Sequence, residues 1–257
     1  MNIPFKKNLS FESKTIIMKL IFLLFLFAFS IAGSAQNTDT IKHSVVRLGK
    51  IVGKHLSWKN GNNDYYYYFE FNDRGRGPAV TSHTKTDSKG NIVMQEITGI
   101  DYFKTKVEEK FEVKNGKASW KNKFENETVP YKGELYSNIN GNPGEVELNL
   151  KMLKAAASKK VNILPSGTLS FAIVKEETVK DEKNNTVSIQ LIGFSGLGGP
   201  PYYIWFTKDG NVFGSLSEWT SIIQEGVEKN ITLLLSVQKK IEDDFYTNLA
   251  KTAVEKN

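Results

Sequence analysis

Residues 65–85 read YYYYFEFNDRGRGPAVTSHTK: an aromatic run, a basic glycine-rich turn, then a stretch of alanine, valine and threonine. Aromatic and β-branched side chains suit the pleated, half-buried surface of a strand. Between the two stretches Gly75 and Gly77 supply backbone freedom and Pro78 fixes the exit, so 73–78 predicts a strand reversal. A phosphate or nucleic-acid site would need a following helix N-terminus or a wider basic field, and neither adjoins this turn.

The same grammar extends along the chain. Asn60-Gly61, Lys89-Gly90-Asn91, Asn115-Gly116 and Asp209-Gly210-Asn211 each separate β-prone segments and tolerate the positive φ of tight hairpins. Phe111, Val113, Ala118 and Trp120 alternate with polar residues, the period of a strand with one buried and one wet face. After Asn142-Pro143 the stretch GEVELNLKMLKAAAS favours a short helix near 143–157. From Ser217 onward Trp219, Ile222, Ile223, Val227, Ile231, Leu234, Ile241, Phe245 and Leu249 recur largely at three- and four-residue spacings. That stripe predicts an amphipathic helix over 217–257, kinked near Gly226 or Asn230, either a lid covering the open face of a sheet or a connector. The expected fold is therefore mainly β (α+β): a curved antiparallel meander or half-barrel over 36–216, with one short internal helix and a long C-terminal helix.

The first 35 residues read differently. Four lysines precede the apolar run LIFLLFLFAFSIA, and small residues stand at Gly33 and Ala35. This is the order of a secretory signal peptide cleaved before Gln36, with Met18 as the better start, and the run is short for a membrane anchor. Cleavage implies a periplasmic or extracellular protein without a membrane anchor. It lowers the net charge from +6 to +3, because four lysines and one glutamate leave with the leader. So mild a balance does not make the basic footprint of a nucleic-acid binder. With no cysteine, the exported chain is held by core burial and not by disulfides.

Chemistry-bearing motifs are incomplete. His43, His55 and His83 are scattered, form neither His-x-His nor HExxH, and read as surface strand residues, so no metal site or other cofactor is expected. Gly193-Phe194-Ser195-Gly196 has its last glycine one position early for a nucleophile elbow, and it leads into another strand where that elbow opens a helix. Gly198-Gly199-Pro200-Pro201 reads as a rigid bend. Glu108-Glu109 and Glu242-Asp243-Asp244 adjoin lysines and read as solvated faces. No catalytic residue is expected.

Several segments in order carry a resemblance: FNDRGRGPAV, ITGIDYF with VEEKFEVKNGKASWK, Leu164-Pro165-Ser166-Gly167, IGFSGLGGPPYYIWFTKDGNVFG and SEWTSIIQEGVE. Together, over roughly 41–230, they resemble the N-terminal β-rich region of secreted bacterial amidohydrolases of the imidazolonepropionase-like type. The resemblance implies an accessory region that precedes a metal-dependent barrel, whose His-x-His ligands match no residue in this chain. The turn Arg74-Gly75-Arg76-Gly77-Pro78 is a marker of that family. Arg74 stands where the family has asparagine, and Val227 where a second tryptophan is common.

Two functional expectations follow. One is a non-catalytic exported accessory domain, either stand-alone or the truncated product of an amidohydrolase gene, whose partner would be an amidohydrolase barrel or a second copy met through the C-terminal helix. The other is a binding module for a small apolar or peptide-like ligand in an aromatic-lined β cup. Tyr65, Tyr67, Phe69, Tyr202, Ile204 and Phe206 supply alternating faces for it, although aromatic residues at this spacing also serve simply as core. Tyr65, Tyr67, Arg76, Tyr202 and Trp205 are the candidate ligand-facing or structural residues.

Overall fold

A computed structural model describes residues 39–254. The leader and its cleavage point lie outside the described residues. Among the described residues fifteen strands form a single sheet. The first eight are β1 (Ile41–Arg47), β2 (Lys50–Lys59), β3 (Asp64–Phe71), β4 (Ala79–Thr86), β5 (Ile92–Ile100), β6 (Lys106–Lys114), β7 (Lys117–Lys121) and β8 (Asn126–Pro130). The other seven are β9 (Leu135–Tyr136), β10 (Lys160–Leu164), β11 (Thr168–Lys180), β12 (Thr186–Ser195), β13 (Tyr202–Thr207), β14 (Val212–Ser215) and β15 (Ser221–Gln224). Among the described residues there are two α-helices, α1 (Val146–Ala155) inside the β region and α2 (Ile231–Val254) at its end. No helix among the described residues is long and apolar enough to cross a membrane.

The strand order is β8 through β1, then β15 back through β9. The chain thus starts in the middle of the sheet, runs outward to β8, crosses to the opposite edge at β9 and returns to pair β15 with β1. All neighbours are antiparallel except β9 and β10. Only residues 131–134 separate the two edge strands in sequence, so the sheet curls until its edges come close. Short hairpins drive the meander: Asn115 and Gly116 both take positive φ in the two-residue β6–β7 turn, the conformation that matches strand twist.

Period-two alternation sorts the side chains into two cores. Inward-facing Tyr65, Tyr67, Phe111, Trp120, Phe194 and Phe206 meet α1 in the interior. Helix α1 buries Val146, Leu148, Leu150, Met152 and Leu153, because a helix enclosed by a curled sheet is apolar on most sides. The opposite face of β12–β15, with Leu191, Trp205, Phe213 and Ile223, is covered by Leu234 of α2. The β12–β15 part is therefore buried on both faces, which explains the near-continuous apolar runs of β12 and β13.

Two expectations change. Residues 221–224 are a strand and not helix: they fill the gap between β14 and β1, with Ser44 opposite Ile223 and Val45 opposite Ile222. Gly226, at φ +86°, ends that segment, and the helix starts five residues later. His43 and His55 lie in strands as expected but are buried, each about 1 % exposed. They occupy directly opposed positions on β1 and β2, on the inward face.

Candidate functional site

The crossover from β9 to α1 builds the site. Residues 137–142 form a strap across the interior, followed by a 3-10 turn over Pro143–Glu145 that runs into α1. The strap is tied down by Glu109 of β6. Its carboxylate accepts the Tyr136 hydroxyl at 2.7 Å, the Ile139 amide at 3.0 Å and the Asn140 amide at 3.1 Å. Glu109, read from sequence as part of a solvated face, is 4 % exposed. Its backbone position faces inward with Phe111, and the strap's amides satisfy it there, as a buried carboxylate requires.

Glu145 closes the turn behind the strap. Its carboxyl accepts Asn138 Nδ2 at 2.8 Å and the Asn142 amide at 3.2 Å, with the Thr84 hydroxyl further off at 3.3 Å. Burial raises its pKa to about 7, against the lowering effect of these hydrogen bonds. The turn can sit this deep because Gly144 has no side chain. A Cβ there would come within 2.6 Å of His55 Cε1 and 3.0 Å of Tyr67 Cδ1.

Beneath the turn runs a polar relay whose proton positions the geometry fixes. His43 Nε2 lies 2.9 Å from the Val212 carbonyl, which can only accept, so His43 carries its proton on Nε2. Its Nδ1 must then accept from His55 Nδ1, 3.3 Å away. The Val212 amide in turn donates to Glu147 at 2.7 Å. Burial lowers both histidines, His55 to about 3 with help from its neighbour His43, and raises Glu147 to about 7. His55 Nε2 and the Tyr67 hydroxyl have no protein hydrogen-bond partner. Among the described residues no group of three or more His, Asp or Glu could hold a metal ion.

Between the strap and the inner face of the β9–β15 half lies a cleft of about 420 Å³, within the range of small-ligand sites. Leu135, Ile163, Leu169, Tyr202, Ile204 and Ile222 give it apolar walls. Its polar groups, Asn138, Asn142, Glu145 and Asn149, gather on the strap and at the start of α1, with Ser215 across from them. Tyr202 stacks on Phe194 with ring centroids 5.0 Å apart, and half-exposed Leu197 lines the same cleft. A larger groove of about 770 Å³ lies around Lys106, Lys110, Lys121 and Phe124, on the other side of Ile139, and is rimmed by charge.

The candidate residues from sequence separate accordingly. Tyr202 lines the cleft. Tyr65 and Tyr67 belong to the packed interior, and Trp205 lies on the opposite face of the sheet under α2. Arg76 lies in the β3–β4 turn, 5.3 Å over the Tyr102 ring. In that turn Arg74, Gly75 and Gly77 take positive φ, and Asp73 and Arg76 form a bridge. Sequence reasoning missed His43, His55, Glu109, Glu145 and Glu147. The nearest signal was the spacing of Asn142 and Glu145 around a proline, which marks a helix start.

No family model matches the chain, and no curated protein matches it. Among solved structures it is similar to a crystal structure described as a beta-barrel-like protein of domain of unknown function DUF1849 from Brucella abortus. The identity is 13 %, the match covers 72 % of this chain and 94 % of the other, and the TM-score is 0.45.

Proposed function

We propose that this chain is an exported, non-catalytic domain that binds a small, largely apolar ligand in the cleft between its strap and the inner face of β9–β15. The observation that carries this reading is the character of the cleft: about 420 Å³ of space, apolar on its walls and polar at one end, where the larger groove around Lys106 is rimmed by charge. Apolar walls with a few convergent polar groups are the usual form of a small-ligand site. The leader-like residues 1–35 support export.

The reading is tested with N-phenyl-1-naphthylamine, a neutral apolar fluorophore, titrated into the purified protein. Saturable binding at one site is expected. Ser215→Trp, which places an indole in the cleft from β14, should abolish it while leaving the circular dichroism spectrum unchanged. Equal binding by a folded Ser215→Trp protein would overturn the assignment of the cleft.

A further inference from the structure

The cleft is not polar at random. Its lining residues include no lysine, arginine or histidine, and its one carboxyl group, Glu145, is 4 % exposed. The other polar groups beside it are the side-chain amides of Asn138, Asn142 and Asn149. Nothing among the described lining residues could neutralise an anion, and an anionic head group would meet a buried carboxyl in a medium of low dielectric. Glu145 is held by four donors, Asn138, the Asn142 amide, Ser82 and Thr84, whereas Asn142 Oδ1 beside it is a buried acceptor with no protein hydrogen-bond partner. A side-chain amide oxygen accepts up to about two hydrogen bonds, so a donating head group satisfies it where an acceptor cannot.

Resting on the binding reading above, we propose that the cleft selects amphiphiles whose polar end donates hydrogen bonds: a primary amine best, a hydroxyl next, a carboxylate least. The alkyl body would lie along Ile163, Leu169, Tyr202 and Ile204. The head would face Glu145 at the start of α1. The groups around Glu145 agree with this. Ser82 and Thr84 of β4, Asn138 and Asn142 of the strap and Tyr67 of β3 are neutral. His55 of β2, beside Gly144, is kept neutral by burial, and Glu147 adds a second carboxyl on α1. Lys59 acts on Glu147 and not on Glu145, so an ammonium ion would be the only cation among the groups lining the cleft. It would favour ionised Glu145, so amine binding should strengthen as pH rises from 6 to 8, through the value of about 7 to which burial raises this group.

The test is competition against N-phenyl-1-naphthylamine by octylamine, octanol and octanoate, which share one alkyl chain and differ only in the head. At pH 8 octylamine should displace the fluorophore at a concentration about tenfold or more below that needed for octanoate, with octanol between them. Glu145→Gln should bring amine and carboxylate together while octanol keeps its affinity. Should that variant not fold, the wild-type pH series still decides: an amine preference that does not grow between pH 6 and 8 rejects the role of Glu145. Octanoate competing as well as octylamine would overturn the head-group selectivity and leave the binding reading intact. Failure of the fluorophore and of all three competitors to bind would overturn the binding reading itself.

Discussion

The Nδ1 atoms of His43 and His55 lie 3.3 Å apart on adjacent strands, inside the sheet, with both rings held neutral. Acid therefore works against the fold in a defined way. An unfolded histidine takes up a proton below about pH 6.5 that the folded pair refuses, so stability falls as the pH drops below that value. Glu145 and Glu147 act in the opposite sense. Folded, they hold their protons from about pH 7 downward, against an unfolded value of 4.5. They add stability as the pH falls across that window and lose it again as the pH rises through 7. Each group has a limiting slope of about 1.4 kcal/mol per pH unit. The melting temperature should be nearly level from pH 6.5 to 4.5 and fall below that. In a Glu145→Gln, Glu147→Gln double variant the decline should begin near pH 6.5, as calorimetry would show. A level profile for that variant between 6.5 and 4.5 would contradict the opposition.

Gly144→Ala tests how closely the turn fits the two rings beneath it. The added methyl meets His55 and Tyr67 at 2.6 and 3.0 Å, and overpacking of this kind costs about 1–3 kcal/mol. Denaturant unfolding should show a loss of that size. A loss under about 0.5 kcal/mol, the size of an ordinary surface substitution, would mean the turn shifts freely.

Glu109→Gln tests the anchoring of the strap. The variant replaces one acceptor oxygen by an amide donor facing the backbone amides of Ile139 and Asn140. An unsatisfied buried group costs about 1–3 kcal/mol. Hydrogen exchange at residues 137–142 should accelerate, while that of the β11–β12 ladder should change little. Unchanged exchange in the strap would show that it is held by other contacts.

The β3–β4 turn separates backbone from side-chain effects. Arg76→Ala removes an exposed cation from the Tyr102 ring, a contact worth about 0.5–1 kcal/mol. Gly77→Ala places a Cβ 2.0 Å from the Phe71 carbonyl oxygen at φ +130° and should destabilise the protein more. Equal melting temperatures for the two variants would contradict this ranking.

Much of the fold is legible in the sequence because its determinants are local. Asn60-Gly61, Asn115-Gly116 and Asp209-Gly210 carry their own conformational preference and mark reversals wherever they occur. The helix after Asn142-Pro143 and the helical stripe of Ile231, Leu234 and Ile241 are also local patterns. Trp219, Ile222 and Val227 extend that stripe by coincidence of spacing. Residues 221–224 are a strand because β1 and β14 each need a hydrogen-bonded neighbour there.

The site was less legible, for a related reason. Period-two alternation shows which residues share a face but not which face turns inward. Ile204 and Trp205 are adjacent and both buried, one toward the cleft and one under α2. His43 and His55 look like surface polar residues until the register places them opposite each other on the closed side.

By itself, then, the sequence determined an antiparallel β meander, its turn positions, an internal helix and a helical end, since each rests on preferences carried within a few residues. The tertiary structure alone decided the curl that brings β8 and β9 together, the burial of the two histidines and Glu109, and the cleft beneath the strap. These arise from contacts between segments 30 to 170 residues apart, such as Glu109 with Ile139 and His43 with Val212, which no local pattern encodes.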